Sequence, residues 1–184
     1  MNVGILALQG GFEAHRQALI RLGHRVALVR NAEDFSALDG LILPGGESSV
    51  HLKLIQRFSL QPALQTLVES GKPVLATCAG MILCAQRVCG PQQVSFGWLS
   101  VGVQRNGFGR QLDSFEGVAD GESIPLCFIR APRVLEMGPG VEVLLRFRGE
   151  PVLLREGNVV GATFHPELTD NLWVHRQVFP AATI

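Results

Sequence analysis

Short apolar runs alternate with segments of helical periodicity through the first half of the chain. Val3 to Leu8 is apolar on both faces and predicts a buried strand. Phe12 to Leu22 follows with Phe12, Ala18, Leu19 and Leu22 on one face, which predicts a helix, and Gly23 suits its C-terminal end. Arg25 to Val29 predicts a strand, and so does Leu41-Ile42-Leu43, which is closed by Pro44-Gly45-Gly46. Helices are expected from about Ser48 to Phe58 and from about Pro62 to Ser70. Val74 to Thr77 reads as a strand opened by Pro73, and a helical pattern that includes Met81, Leu83 and Ala85 follows it. Strands separated by helices in this way predict a parallel sheet covered on both faces.

From Trp98 to Phe164 the pattern changes. Leu99 to Val103, Leu126 to Ile129, Val141 to Phe147, Val152 to Arg155 and Val159 to Phe164 are short apolar runs separated by Gly, Pro and charged turns. They predict antiparallel strands that extend the sheet or form a small flap. Asp170 to Phe179 predicts a closing helix, with Leu172, His175 or Arg176, and Phe179 near helical spacing. No repeat, low-complexity tract or linker divides residues 1–184, so a single α/β domain is expected.

Composition narrows the function classes. Formal net charge is zero, which gives no basic field for nucleic acid or an anionic membrane. No apolar run approaches the roughly 18 residues of a membrane span. The N-terminal strand has no basic flank or cleavage site, so a signal peptide is not expected. Cys78, Cys84, Cys89 and Cys127 form no CxxC pair and have no histidine at zinc-finger spacing, which leaves structural zinc without support. Free thiols fit a reducing cytoplasm.

One of these thiols has a chemical setting. Cys78 falls where a strand stops and a helix begins, among small residues (Thr77, Ala79, Gly80). Such an elbow presents a side chain above the sheet and sets a thiol at a helix N-terminus, where the thiolate is favoured. A buried, inert cysteine would use the same residues. A cysteine nucleophile needs a base, and the base needs an orienting acceptor. His165 and Glu167 flank Pro166 after the last apolar run. In an extended segment residues i and i+2 point to one side, so both would aim at Cys78. The bland alternatives are a structural histidine and a solvated turn residue. His15, His24, His51 and His175 read as surface or packing residues. Cys84 and Cys89 read as packing residues of the helix after Cys78 and its end, and Cys127 as part of a strand. Gly45-Gly46 would let backbone N–H groups approach an oxyanion, with the N–H of Ala79 as second donor. Gly10-Gly11 is an incomplete phosphate-binding string.

Three motifs carry a resemblance. Leu43-Pro44-Gly45-Gly46-Glu47-Ser48, Thr77-Cys78-Ala79-Gly80-Met81 and Phe164-His165-Pro166-Glu167-Leu168 resemble those of the class I, triad-type glutamine amidotransferases. Further strings are similar to the glutaminase subunits of pyridoxal 5′-phosphate synthases. They are Leu8-Gln9-Gly10-Gly11-Phe12-Glu13-Ala14-His15, Arg105-Asn106-Gly107-Phe108-Gly109-Arg110-Gln111 with Asp113-Ser114-Phe115, and Phe128-Ile129-Arg130-Ala131-Pro132. The likeness runs from near residue 3 to about residue 179. Ala76 stands where that family usually has glycine, Gly107 where serine is common, and Ser49-Val50-His51 where a Thr-rich continuation is usual.

The resemblance implies a three-layer, flavodoxin-like α/β fold and hydrolysis of L-glutamine to glutamate and ammonia. It implies Cys78 as nucleophile, His165 as proton shuttle and Glu167 as its orienting carboxylate. Gly46 and Ala79 become the oxyanion donors. Gly46, Glu47, Ser48, Arg105, Ile129 and Arg130 become the glutamine contacts. It implies a synthase subunit as the partner that receives the ammonia, and no cofactor or metal in this chain. An amidotransferase of another pathway, a related cysteine hydrolase and a binding module with a redox-sensitive Cys78 use the same elbow.

Overall fold

Three strands with every residue buried, Gly40–Leu43, Val74–Thr77 and Val159–Ala162, lie side by side at the centre of the computed structural model, which describes residues 1–107 and 114–181. In chain order the elements begin β1 (Asn2–Leu6), α1 (Phe12–Arg21), β2 (Arg25–Val29), β3 (Gly40–Leu43), α2 (Ser48–Arg57), α3 (Gln61–Glu69), β4 (Val74–Thr77) and α4 (Ala79–Cys84). They continue with β5 (Ala85–Cys89), β6 (Leu99–Gln104), β7 (Ser114–Val118), β8 (Pro125–Ile129) and β9 (Arg133–Met137). The chain closes with β10 (Glu142–Phe147), β11 (Glu150–Glu156), β12 (Val159–Ala162) and α5 (Trp173–Val178).

The main sheet has seven strands in the order β10-β11-β12-β4-β3-β1-β2. From β12 to β2 all pairings are parallel, whereas β10 and β11 add an antiparallel edge. Alternation along the strands builds the layers. Leu41, Leu43, Val74 and Ala76 face one core with Ile55, Leu64, Leu67 and Met81 from α2, α3 and α4. Ile42, Leu75, Val3 and Ile5 face the other, with Leu19 of α1 and Val174 and Val178 of α5. This is the expected three-layer α/β architecture, with the second-half strands both extending the sheet and forming separate small ones. β5-β6-β9 make one small sheet and β7-β8 a two-stranded ribbon, in which Phe115 stacks on Phe128 with ring centroids 4.6 Å apart.

Two expected elements are shorter than their patterns suggested. The helix after Cys78 ends at Cys84, and Ala85 and Cys89 belong to β5. Phe96 N–H donates to the Leu83 carbonyl at 2.8 Å and Gly97 N–H to the Ala85 carbonyl at 3.1 Å, so the helix end is satisfied from outside and β5 is free to pair with β6. The closing helix starts at Trp173, not Asp170, because the Asn171 side chain accepts from Trp173 N–H at 2.8 Å and holds the preceding residues in a turn. No helix among the described residues is long and apolar enough to cross a membrane.

Candidate active site

β4 delivers Cys78 to the carboxyl end of the sheet and α4 leads away from it. Cys78 lies at φ 47°, ψ −102°, a region that side-chain-bearing residues rarely occupy. The neighbours hold it there. Its N–H donates to the Ala162 carbonyl at 2.8 Å, and its own carbonyl accepts from Ile82 N–H at 3.1 Å. Gly80 lets α4 seat directly on β3, because a β-carbon there would collide with the Leu43 carbonyl. The thiol is 3.8 Å from the Ile129 carbonyl oxygen.

His165 and Glu167 arrive from the turn after β12. The extended geometry expected for them is replaced by a 3-10 turn over Pro166–Leu168, with Leu168 N–H donating to the His165 carbonyl at 3.3 Å. Pro166 fits such a first turn because it has no N–H to satisfy. The turn brings the two side chains together as the extended segment would have done: His165 Nδ1 is 2.7 Å from Glu167 Oε1. His165 N–H donates to the Cys127 carbonyl at 2.8 Å, which fixes the turn to β8. The Cys78 thiol lies close enough to the ring to favour its protonated form. Burial works against a charge on His165, but Cys78 and Glu167 outweigh it and raise its pKa to about 10. Burial likewise works against the Glu167 carboxylate, and His15 and His165 together hold it below the usual range. Sulfur, imidazole and carboxylate are therefore gathered at one point, the imidazole bonded to the carboxylate and close to the sulfur.

A cavity of about 260 Å³ opens over the sulfur, just below the roughly 300–1,000 Å³ typical of ligand sites. Its walls come from the segments after β1, β3, β4 and β12, the place where open parallel sheets gather ligands, and from the ends of β6 and β8. Gly46, Glu47, Ser48, Arg105, Ile129 and Arg130 all line it. Cys78, Asn106 and Arg130, at φ 47°, 52° and 44°, are three of the five non-glycine residues with positive φ among the described residues. That strain gathers around one cavity, as it does at functional sites. Ala79 is 1% exposed and follows Cys78 into α4.

Glu47 has two attachments. Its Oε1 accepts from Arg105 Nη2 at 2.7 Å, and from the N–H and hydroxyl of Ser49 at 3.2 and 3.0 Å, which caps α2. Burial works against the ionised form, but the Ser49 bonds, Arg105 and Arg130 hold its pKa below the ordinary carboxylate value. Glu47 therefore caps α2 and also lines the pocket. Gln9-Gly10-Gly11 is not a phosphate cradle: Gly11 N–H is taken up by the Gly45 carbonyl at 3.1 Å and Gln9 Nε2 by the Glu47 carbonyl at 3.3 Å. These bonds brace the Pro44 to Glu47 segment. Gly45 in turn packs flat against the His165 ring, where a β-carbon would lie 2.9 Å from Nδ1 and closer still to Cε1.

Of the surface and packing roles open to His15, His24, His51 and His175, packing holds for all four, which are buried. His15 and His175 belong to the site's surroundings, since His15 Nε2 is 3.4 Å from Glu167 Oε2 and His15 Nδ1 is 2.9 Å from His175 Nε2. One signal pointed to His15: with Ala18, Leu19 and Leu22 it forms an i, i+3, i+4, i+7 stripe. Asn106, next to Arg105 in its motif, also lines the cavity. Phe108, Gly109, Arg110, Gln111 and Asp113 of that motif lie outside the described residues. Among the described residues no group of three or more His, Cys, Asp or Glu is arranged to hold a metal ion.

A mostly parallel sheet with a thiol, imidazole and carboxylate gathered at its carboxyl end is the arrangement of the class I glutamine amidotransferases. The model of the SNO glutamine amidotransferase family matches residues 5–181. The chain belongs to that family. It is 48% identical over 179 residues to the pyridoxal 5′-phosphate synthase subunit PdxT of Koribacter versatilis (strain Ellin345), covering 95% of this chain and 92% of that protein. It is 43% identical over 180 residues to the protein of the same name from Shouchella clausii (strain KSM-K16), covering 96% and 92%. A crystal structure described as a glutamine amidotransferase superposes with a TM-score of 0.90 at 42% identity, covering 99% of both chains. The structure of PurLQS from Thermotoga maritima, at TM-score 0.69 and 17% identity over 90% of this chain and 87% of that one, shares the fold.

Proposed function

We propose that this chain, acting as one glutamine amidotransferase domain over residues 1–184, hydrolyses L-glutamine and passes the ammonia to a synthase subunit that makes pyridoxal 5′-phosphate. The observation that carries the reading is the grouping of Cys78, His165 and Glu167, opening into a cavity sized for an amino acid. The relatives named as pyridoxal 5′-phosphate synthase subunits supply the pathway and the partner.

The proton between Cys78 and His165 rests on the imidazole as sulfur attacks. Cys78 Sγ attacks the side-chain amide carbon, and the carbonyl electrons move onto oxygen. Gly46 and Ala79 N–H groups take up that charge. His165 gives its proton to the departing nitrogen, which leaves as ammonia, and a glutamyl thioester remains on Cys78. Water then adds to the thioester as His165 accepts its proton. The carbon–sulfur bond breaks, releasing glutamate and restoring the Cys78–His165 pair. Glu167 holds the ring and its charge throughout. Arg105 and Arg130 pair with the amino acid's carboxylate, Glu47 accepts from its ammonium, and Ser48 and the Ile129 carbonyl complete the contacts. None of these steps needs a metal or a cofactor. The free thiols Cys84, Cys89 and Cys127 fit a cytoplasmic setting.

The test is glutamate release from glutamine with and without the synthase subunit, for the natural chain and for Cys78→Ala. The reading expects partner-stimulated release that the substitution abolishes. Full activity in Cys78→Ala rejects the mechanism, and activity indifferent to the synthase subunit rejects the coupling.

A further inference from the structure

A second polar cluster lies behind the Cys78–His165–Glu167 group. His15 of α1 and His175 of α5 are both 0% exposed. His15 Nε2 lies 3.1 Å from Thr77 Oγ1 and 3.4 Å from Glu167 Oε2, and its Nδ1 lies 2.9 Å from His175 Nε2. The two rings meet at 59° with centroids 5.2 Å apart, so they touch through their nitrogens and do not stack.

The protons of this cluster follow from its neighbours. Burial favours neutral His15 against the pull of Glu167, and burial pushes His175 down to about 3. A neutral imidazole carries one N–H. Glu167, as a carboxylate, can only accept, so the arrangement that suits it puts the His15 proton on Nε2, bonded to Thr77 Oγ1 and 3.4 Å from Glu167 Oε2. His15 Nδ1 is then an acceptor, and His175 Nε2 donates to it. His175 Nδ1 is left as a bare acceptor, and it is a buried nitrogen without a partner. In this arrangement donors run from His175 to His15 and toward Glu167, and His165 meets the same carboxylate from its other oxygen.

Glu167 Oε2 has no conventional hydrogen bond, and the Glu167 side chain is 1% exposed. A buried carboxylate oxygen without a donor is costly, and the ordinary relief is to take up a proton or rotate away. Either would deprive His165 Nδ1 of its acceptor. We infer that His15, braced by His175 and Thr77, is a positioning residue that keeps Glu167 ionised and aimed at His165 by standing against Oε2. It does so without lining the substrate cavity. This rests on the proposed roles of Cys78, His165 and Glu167. The titratable groups facing the cluster from neighbouring elements are Cys78 at the elbow, His165, His175 of α5 and Cys127 of β8. Glu13 and Arg16 of α1 pair with each other at the surface.

Two substitutions of similar size separate positioning from packing. Glutamine at residue 15 puts an amide nitrogen near the His15 Nε2 position and keeps a donor for Glu167. Asparagine reaches only the Nδ1 position and loses it. In the complex with the synthase subunit, His15→Asn is expected to lower kcat by about 10- to 100-fold, the usual scale for losing an outer partner, with KM within about twofold. The acid limb of its kcat/KM profile moves to higher pH, because Glu167 now protonates more readily. His15→Gln keeps the limb in place and most of kcat. Should His15→Asn fail to fold, His175→Leu, which removes the donor behind His15, is expected to shift the limb in the same direction. Equal losses in the Asn and Gln variants with an unmoved limb, or full activity in the Asn variant, overturn the inference. Its failure is distinct from failure of the functional reading, which shows instead as glutaminase activity that survives Cys78→Ala in the otherwise natural complex.

Discussion

Substituting Gly45 by alanine tests whether the placement of the imidazole sets the rate. Gly45 is not among the positive-φ glycines, so its backbone accepts alanine without conformational strain. The obstacle is His165: the new β-carbon would stand 2.9 Å from Nδ1, against 3.4 Å for ordinary contact, and nearer still to Cε1. Gly45 has little room to yield, because its carbonyl is held by Gly11 N–H at 3.1 Å and lies so near Gly10 that a β-carbon there would collide with it. The ring must therefore retreat by half an ångström or more, away from Cys78 and Glu167. A misplacement of about 1 Å costs on the order of 100-fold in rate, so kcat is expected to fall about 10- to 100-fold, or about 1.4–2.7 kcal/mol of barrier. Overpacking adds about 1–3 kcal/mol of lost stability. The assay is steady-state glutamate release by the complex, with thermal melting of the free chain beside it. KM is expected to stay near its natural value, since the substrate's charged groups meet other residues. A Gly45→Ala complex with natural kcat, or one impaired only in KM, would refute the claim that this contact positions the base.

Other outcomes follow from the same geometry. Glu167→Gln removes the carboxylate that His165 faces at 2.7 Å, and kcat should fall by about 100- to 10,000-fold in the stimulated assay; a loss under tenfold contradicts the orienting role. Gly80→Ala drives a β-carbon into the Leu43 carbonyl and should lower the urea midpoint by an amount equivalent to about 1–3 kcal/mol without changing the slope. Stability should also fall with acid. His51 is depressed to about 4 and His175 to about 3, chiefly by burial, so the unfolded chain takes up protons below pH 6.5 while the folded chain does not. Each then removes up to about 1.4 kcal/mol per pH unit, from pH 6.5 down to those values. Denaturation at pH 7, 6 and 5 checks the sign, and unchanged midpoints over that range exclude it.

The parts of the site that were legible in the sequence are those set by local chain geometry. Cys78 sits between an apolar run and a helical pattern, and His165 and Glu167 sit two residues apart at a strand end, so short-range rules placed all three at the carboxyl side of a parallel sheet. What joins residues far apart in the chain was harder to read. His15 and His175 are separated by 160 positions and meet only because α1 and α5 cover the same sheet face. Their contact is visible in sequence only as a histidine in an otherwise apolar stripe. The His165–Glu167 pairing was anticipated through the wrong backbone, since Pro166 opens a 3-10 turn where an extended segment was expected. Cys89 was misplaced for a similar reason. Helical periodicity does not reveal that Phe96 and Gly97 return to satisfy the carbonyls of Leu83 and Ala85 and release β5 to pair. The brace from Gly11 to Gly45 needed both turns in place before it had meaning.

The central claim is a covalent bond to one sulfur. Acid quenching of the complex during glutamine turnover, followed by peptide mass spectrometry, tests it most directly. The account predicts a glutamyl group on the peptide carrying Cys78, and none on Cys84, Cys89 or Cys127. A complex that turns over glutamine while Cys78 never carries that group, or carries it on another cysteine, would contradict it.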